Sequence, residues 1–508
     1  MTLKQEIKET ILRQHAVLDD ACRDSILAYA RLMEGLTPRQ VLELGIEPPG
    51  GSTHDYANPK YKGGLGILIE ERFFGYKANN DEFPDFPAAD TELKATPYRL
   101  LQRGDYSAKE RLVLCMISFN VPIADELEGS PVWSKLKSIL MIHYLHEQGM
   151  DKMDFMITHA TLYSPPCADK RIMGEDYRKI ASLIRAGDAD ALSESLTFYL
   201  GACTKAATSS DRKIQYYPPY NPAKPRAFSL KRQYMDYVLN NYVLGSRKDC
   251  ERIVKDDDEL LRADLEDIIT ERIEHYVGMT DREIAATLGL KYTGNKAQWT
   301  RLAFGMLGVS GNSAEEFVKG NVSVRTIRMK EDGRIVESLS LTPFEFSDLV
   351  LEEWNPANDE IGNDGVRPSA LREYLDETNF FFVTFRERGD DFVLMGSYFY
   401  TMSQSLLDDE VQSGWRAIQS KIIDGIEFSH SSSNAIGNDL PKKRDNSVIH
   451  VRPHASKSAY KLNDGILRGD LNKDGSELPD GQIMTKQSFW LNNNFLMKIL
   501  SPFAKIRL

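Results

Sequence analysis

Residues 63–96 read GGLGILIEERFFGYKANNDEFPDFPAADTELKAT, and this stretch decides the fold. Leu65, Leu68 and Ile69 recur at helical spacing and lead into Glu70. Gly75 then opens a polar loop with Asn79, Asn80 and Asp81, and Pro84 precedes Asp85. The stretch closes on Thr91-Glu92-Leu93-Lys94-Ala95-Thr96, whose alternation predicts a half-buried strand. Successive strand side chains point to opposite faces, so Glu92 and Lys94 share one face and Leu93 takes the other.

That geometry brings Asp85, Glu92 and Lys94 toward one point, with Glu70 on the preceding helix. Asp85 and Glu92 suit a hard divalent cation: Mg²⁺ asks for one or two carboxylates and fills its shell with water and phosphate. Lys94 can orient or deprotonate a water and offset charge building on a phosphate. Taken alone, Asp-x6-Glu-x-Lys is a weak pattern, and a solvated strand edge carrying a Glu/Lys pair accounts for it as well.

The surrounding residues add more. Lys62-Gly63-Gly64-x-Gly66-x-x-x-Glu70, Gly75, Asp85-Phe86-Pro87 and Glu92-Leu93-Lys94-x-x-Pro97 together resemble the MutH-type nuclease core. More closely, the chain resembles the two-lobed Sau-type restriction endonucleases that cut at GATC. The likeness continues in order through Lys109–Leu114, Tyr199–Lys205 and Arg226–Lys231, then His450–His454 and Met484–Trp490.

The resemblance implies a mixed α/β fold of two tandem MutH-like lobes of the PD-(D/E)xK, restriction-endonuclease-like kind, the second catalytically degenerate. It implies Mg²⁺ held by Asp85, Glu92 and the Leu93 carbonyl, with Glu70 supporting the site or a second ion. Lys94 would position the attacking water, cutting the duplex before the guanine of GATC and leaving a 5′ phosphate. Lys62, eight positions before Glu70, matches a family lysine that touches DNA, and Glu110 matches a glutamate near the recognised bases. The spacing to the downstream glycine fits Glu71 better; the upstream glycines select Glu70. Lys135 and Lys137 stand beside Trp133; one of the two, Lys135 by preference, is expected to approach phosphate near the active site.

Residues 1–46 read as helices that brace the fold, with Thr37-Pro38 opening one of them. The expected organisation is N-terminal helices and a loop over 1–62, a catalytic lobe over 63–245, a helical linker over 246–280 and a DNA-binding effector lobe over 281–508. Pro97 to Gln102 reads as a turn, Leu112–Phe119 and Asp154–Leu162 as strands, and Glu175–Ala186 and Ala189–Tyr199 as helices.

Between Lys205 and Arg232 lie seven basic residues against one acid, Asp211, with Tyr216, Tyr217 and Tyr220 interleaved. Four prolines there forbid regular structure between Tyr217 and Arg226. On a chain of net charge −12 this is the stretch best suited to DNA. Arginine reads guanine in the major groove and lysine mostly holds phosphate, so Arg226 is the candidate for base readout, with Lys205 and Lys231 beside it.

The second half overlays the first in order. Ser323-Val324-Arg325 falls where Glu92-Leu93-Lys94 stands, so a metal ligand and the lysine are lost. Val336–Leu341 echoes Lys109–Leu114, and His450–His454 and Lys486–Trp490 echo the basic loop and the segment after it. Pro441–Tyr460 stays basic, and Arg452 and Lys486 are its candidate DNA contacts. A lobe that keeps cations and loses metal ligands should bind DNA without cutting it; the resemblance implies that it binds a second site as an effector.

At 508 residues the chain exceeds one ordinary core. Five cysteines, none in a CxxC and none in the second half, argue against a disulfide framework or a zinc site. The first ten residues lack a secretion signal, and no apolar run reaches membrane-spanning length, so a cytoplasmic protein is expected. The expected partners are double-stranded DNA and, in function rather than contact, a cognate DNA methyltransferase. A dimer across one palindrome and one chain looping two sites both fit the sequence. A mismatch-repair nickase is disfavoured by the second lobe, and a non-cutting regulator by the intact Asp85/Glu92/Lys94 set.

Overall fold

The computed structural model describes residues 3–58, 63–78, 83–101, 104–205, 211–246, 250–354, 366–430 and 435–504. Three short helices open the chain, α1 (Gln5–His15), α2 (Arg23–Ala30) and α3 (Pro38–Leu42). Thr37 caps α3 through a full capping box with Gln40 and places Pro38 at its first turn, where the missing N–H costs nothing. Helix α4 (Gly64–Arg72) starts from Gly63 at φ 81°, a left-handed value natural to glycine.

Strand β1 (Glu92–Leu100) lies in a mixed sheet with β2 (Tyr106–Ala108), β4 (Ile139–Leu145) and β5 (Met156–Tyr163), in the order β2-β1-β4-β5. β1 runs parallel to β4, Glu92 opposite Ile139, and antiparallel to β2. The turn expected from Pro97 is therefore absent: the strand continues to Leu100. Pro97 is tolerated because its carbonyl accepts from the Lys109 N–H, so its missing donor faces the edge away from β4. A second sheet holds β3 (Leu112–Met116), β7 (Arg226–Leu230) and β6 (Leu200–Thr204), antiparallel in the order β3-β7-β6.

The helix expected over Ala189–Tyr199 does not form beyond a single turn at Ala189–Ala191. The backbone N–H groups of Phe198, Tyr199 and Leu200 instead donate to the buried carboxylate of Asp176 on α6 (Cys167–Arg185), which holds this segment extended.

The same plan recurs downstream. β8 (Val322–Met329) runs parallel to β10 (Asn379–Arg388), which pairs antiparallel with β11 (Asp391–Tyr400). β9 (Leu339–Phe344), β13 (Gln487–Leu491) and β12 (Ile449–Pro453) form an antiparallel sheet in the order β9-β13-β12. Ser323 pairs with Phe380 at the start of β8, as Glu92 pairs with Ile139 at the start of β1. Strand order gives Ile449–Pro453 the position in its sheet that Leu200–Thr204 has in the first, which corrects the expected match of His450–His454 to the basic loop.

Three apolar cores hold the chain. One packs α1–α4 on the face of the first sheet that carries Leu93, Leu140 and Ile142. A central core takes the opposite face, with Ile139 and Met141, together with β3, β6, β7 and α6. It extends through Ile253, Val254, Leu265 and Ile269 to Phe381, Val383 and Phe385 of β10. Phe380 and Phe382, on the other side of the same strand, belong to the third core. A buried ion pair crosses the junction, with Lys319 Nζ 2.8 Å from Asp169 Oδ1. Among the described residues no helix is long and apolar enough to cross a membrane.

Candidate active site

Leu68 and Ile69 seat α4 in the N-terminal core, and Leu93 enters that core from β1, which turns Glu70, Glu92 and Lys94 toward the opposite side. Paired backbone hydrogen bonds between Phe86 and Thr91 close a tight turn before β1. The turn brings Asp85 back against the strand, where its Oδ2 accepts from the Leu93 N–H at 2.8 Å. All four side chains line a cleft of about 3080 Å³. That is several times the ~300–1,000 Å³ of a small-molecule pocket and fits a macromolecular substrate.

Glu92 is 1% exposed and lies between two ammonium groups. Lys94 Nζ is 2.5 Å from its Oε1, and Lys135 Nζ is 3.3 Å from each of its oxygens. Burial, aided by the neighbouring Asp85 and Glu92 charges, raises the Glu70 carboxyl to about 7. Burial and Glu92 likewise raise Asp85 to about 6, against the opposing pull of the Leu93 N–H, Lys94 and Lys135. Asp85 and Glu92 offer oxygen donors side by side, a pair that fits a hard divalent cation. Among the described residues no group of three or more His, Cys, Asp and Glu side chains forms a cation cage; two carboxylates with water and phosphate are the usual Mg²⁺ arrangement.

Glu71, one position on, faces elsewhere. It accepts from Ser52 Oγ at 2.6 Å and Tyr56 OH at 2.5 Å and lies 3.0 Å from His54 Nδ1. This four-residue anchor was not read from the sequence, because it joins Glu71 of α4 to three residues of the preceding loop and no spacing links them. Only Glu70 of the two glutamates lies among the carboxylates.

Glu110 and Lys205 are exposed on the cleft wall and Lys135 is on its floor. Lys62 lies outside the described residues. Arg226 and Lys231 correct the expectation of direct DNA contact. Arg226 is wholly buried in β7, with Nη1 donating to the Ala202 carbonyl at 2.8 Å. Lys231 is 3% exposed and its Nζ donates to the Thr197 and Gly320 carbonyls. β7 is the central strand of its sheet and is covered on both faces, so a charged residue there is internal whatever its neighbours in sequence.

In the second lobe, Arg452 is exposed and stacks over Trp490 at 4.9 Å, while Lys486 pairs with Glu345 at 3.6 Å. His450 is a core residue, its Nδ1 2.5 Å from Asn492 Oδ1. Arg111, also missed in the sequence, links Glu194 at 2.9 Å to Glu377 of the second lobe at 3.2 Å.

The family model described as DNA mismatch repair enzyme MutH matches residues 74–176, which include Asp85, Glu92, Lys94 and Lys135. The mixed α/β fold is that of a restriction-endonuclease-like nuclease. The type II restriction enzyme Sau3AI of Staphylococcus aureus is 32% identical over 453 residues, covering 84% of this chain and 90% of that protein. The chain belongs to the Sau3AI family of type II restriction enzymes, which are site-specific nucleases. DNA mismatch repair protein MutH of Escherichia coli is 25% identical over 224 residues, covering 44% of this chain and 93% of that protein.

Proposed function

We propose that the chain is a Mg²⁺-dependent restriction endonuclease that cuts duplex DNA at GATC, before the guanine, and leaves 5′-phosphate overhangs. The convergence of Glu70, Asp85, Glu92 and Lys94 on the floor of one wide cleft carries this reading. Asp85, Glu92 and the Leu93 carbonyl would hold the metal, and Glu70 would support the site or a second ion. Mg²⁺ bound there lowers the pKa of a coordinated water and offsets charge on the phosphate. Lys94 orients the attacking water. The water's oxygen bonds to phosphorus as the bond to the 3′ oxygen breaks; the water gives up a proton and the 3′ oxygen takes one up, giving a 3′ hydroxyl and a 5′ phosphate. Lys135, on Glu92, approaches the scissile phosphate, and Lys62, Glu110 and Lys205 contact the duplex.

The second lobe, with Ser323 and Arg325 in the positions of Glu92 and Lys94, binds another copy of the site through Arg452 and Lys486 and acts as an effector. A cognate methyltransferase protects host sites, and the protein works in the cytoplasm.

Glu92→Ala separates cutting from binding. The variant should bind a GATC duplex within a few-fold of the parent and lose cleavage by about 10³-fold or more. A parent protein that binds GATC and shows no cleavage that this substitution can remove would overturn the enzyme reading.

A further inference from the structure

The loop Arg212–Pro225 is fixed at its base while its apolar tips stand in solvent. Gln215 is 2% exposed; its Nε2 donates to the Gly187 and Asn221 carbonyls at 2.8 and 2.7 Å, and its Oε1 accepts from the Ala189 N–H at 3.1 Å. Lys213 and Ala223 exchange backbone hydrogen bonds of 2.8 and 2.9 Å, and the Tyr216 N–H donates to the Phe119 carbonyl at 2.7 Å. Pro218 packs so closely on Gly187, at φ 70°, that a Cβ there would overlap its carbonyl.

On this rigid base Ile214 is 70% exposed, Tyr216 50% and Tyr220 59%. Met116 and Val121, which flank Phe119 in sequence, are also exposed and line the cleft itself. Large apolar side chains held out in water on a pinned loop mark a contact surface. Arg212, on the cleft wall, and the exposed Lys213 put positive charge directly before the tips, which suits a polyanion.

We propose that Ile214, Tyr216 and Tyr220, which stand outside the cleft lining next to Arg212, form a preformed apolar wedge that enters a groove of the duplex where it leaves the cleft and unstacks a base step there. This rests on the reading of the cleft as a duplex channel. Apolar wedges partly unstack and kink DNA, and aromatic rings stack on bases whatever their sequence. A loop already rigid in the free protein loses little ordering entropy on contact. The wedge therefore contributes affinity without contributing charge.

The test combines Ile214→Ser, Tyr216→Ser and Tyr220→Asn in the full chain; asparagine tolerates the left-handed backbone at 220 (φ 64°). Binding to a GATC duplex labelled with 2-aminopurine is measured with Ca²⁺ in place of Mg²⁺, across a salt series. The wedge predicts affinity about five- to hundredfold weaker, an unchanged slope of log affinity against log salt, and loss of the fluorescence gain on binding. Arg212→Ala, by contrast, should lower that slope by about one. Thermal unfolding should be unaltered, since all three tips are exposed. Parent-like affinity and fluorescence in the triple variant would overturn the wedge. So would parent-like DNA binding with loss of self-association in sedimentation, which would make the loop a protein contact. A parent that binds GATC and scrambled duplexes alike would refute the GATC reading while the parent–variant difference still reads the wedge.

Discussion

Lys94 Nζ lies 2.5 Å from Oε1 of Glu92, two residues earlier on the same face of β1, and Lys135 reaches the same carboxylate from α5 (Pro131–Leu136). The two ammonium groups share one carboxylate but differ in reach. Lys94 is 23% exposed at its side chain and Lys135 is 11%, so Lys94 has more access to the cleft.

Lys94→Ala should therefore slow single-turnover cleavage by about 10²–10³-fold and weaken duplex binding by less than tenfold. Glu92 keeps Lys135 as its partner, so the fold should hold. Equal losses of binding and cleavage would contradict a role at the reacting phosphate.

Lys319→Met should destabilise the protein by about 3–5 kcal/mol, because it leaves Asp169 buried without its cation. Lys319 and Asp169 are each 3% exposed and join the two lobes across the central core. Denaturant unfolding measures the effect. A change within ~0.5 kcal/mol, typical of a surface substitution, would mean that the pair is not buried between the lobes.

Stability should fall as pH drops below 6.5. Burial, with His159 nearby, lowers His143 from 6.5 to about 3. Between those values the unfolded chain binds a proton that the folded chain refuses, so stability rises with pH across that window and is complete above 6.5. The loss is of order a few kcal/mol at ~1.4 kcal/mol per pKa unit. His143→Phe should flatten that part of the stability–pH curve; an unchanged curve would show that other groups set it.

Much of the site was legible because a strand's period of two is rigid. Once Leu93 faces a core, Glu92 and Lys94 must face away from it, and the helix carrying Leu68 and Ile69 fixes where Glu70 points. The repeat was legible in order but not in register: His450 and its neighbours form a strand in the place of Leu200–Thr204, and a run of basic residues cannot tell a strand from a loop. Arg226 and Lys231 misled for a related reason. Sequence reports their charge and not their depth: in β7 every residue from Arg226 to Leu230 is buried, and Lys231, directly after the strand, is 3% exposed. Asp176 drawing three backbone donors across more than twenty residues leaves no local signal at all.

The most direct measurement uses two plasmids, one carrying GATC sites and one carrying none, incubated with purified protein and Mg²⁺. Ordered double-strand fragments from the first plasmid alone, with 5′-phosphate ends opening at the guanine, are predicted. Nicked circles only would indicate a repair-type nickase, and no cleavage of either plasmid despite GATC-dependent binding would contradict the account.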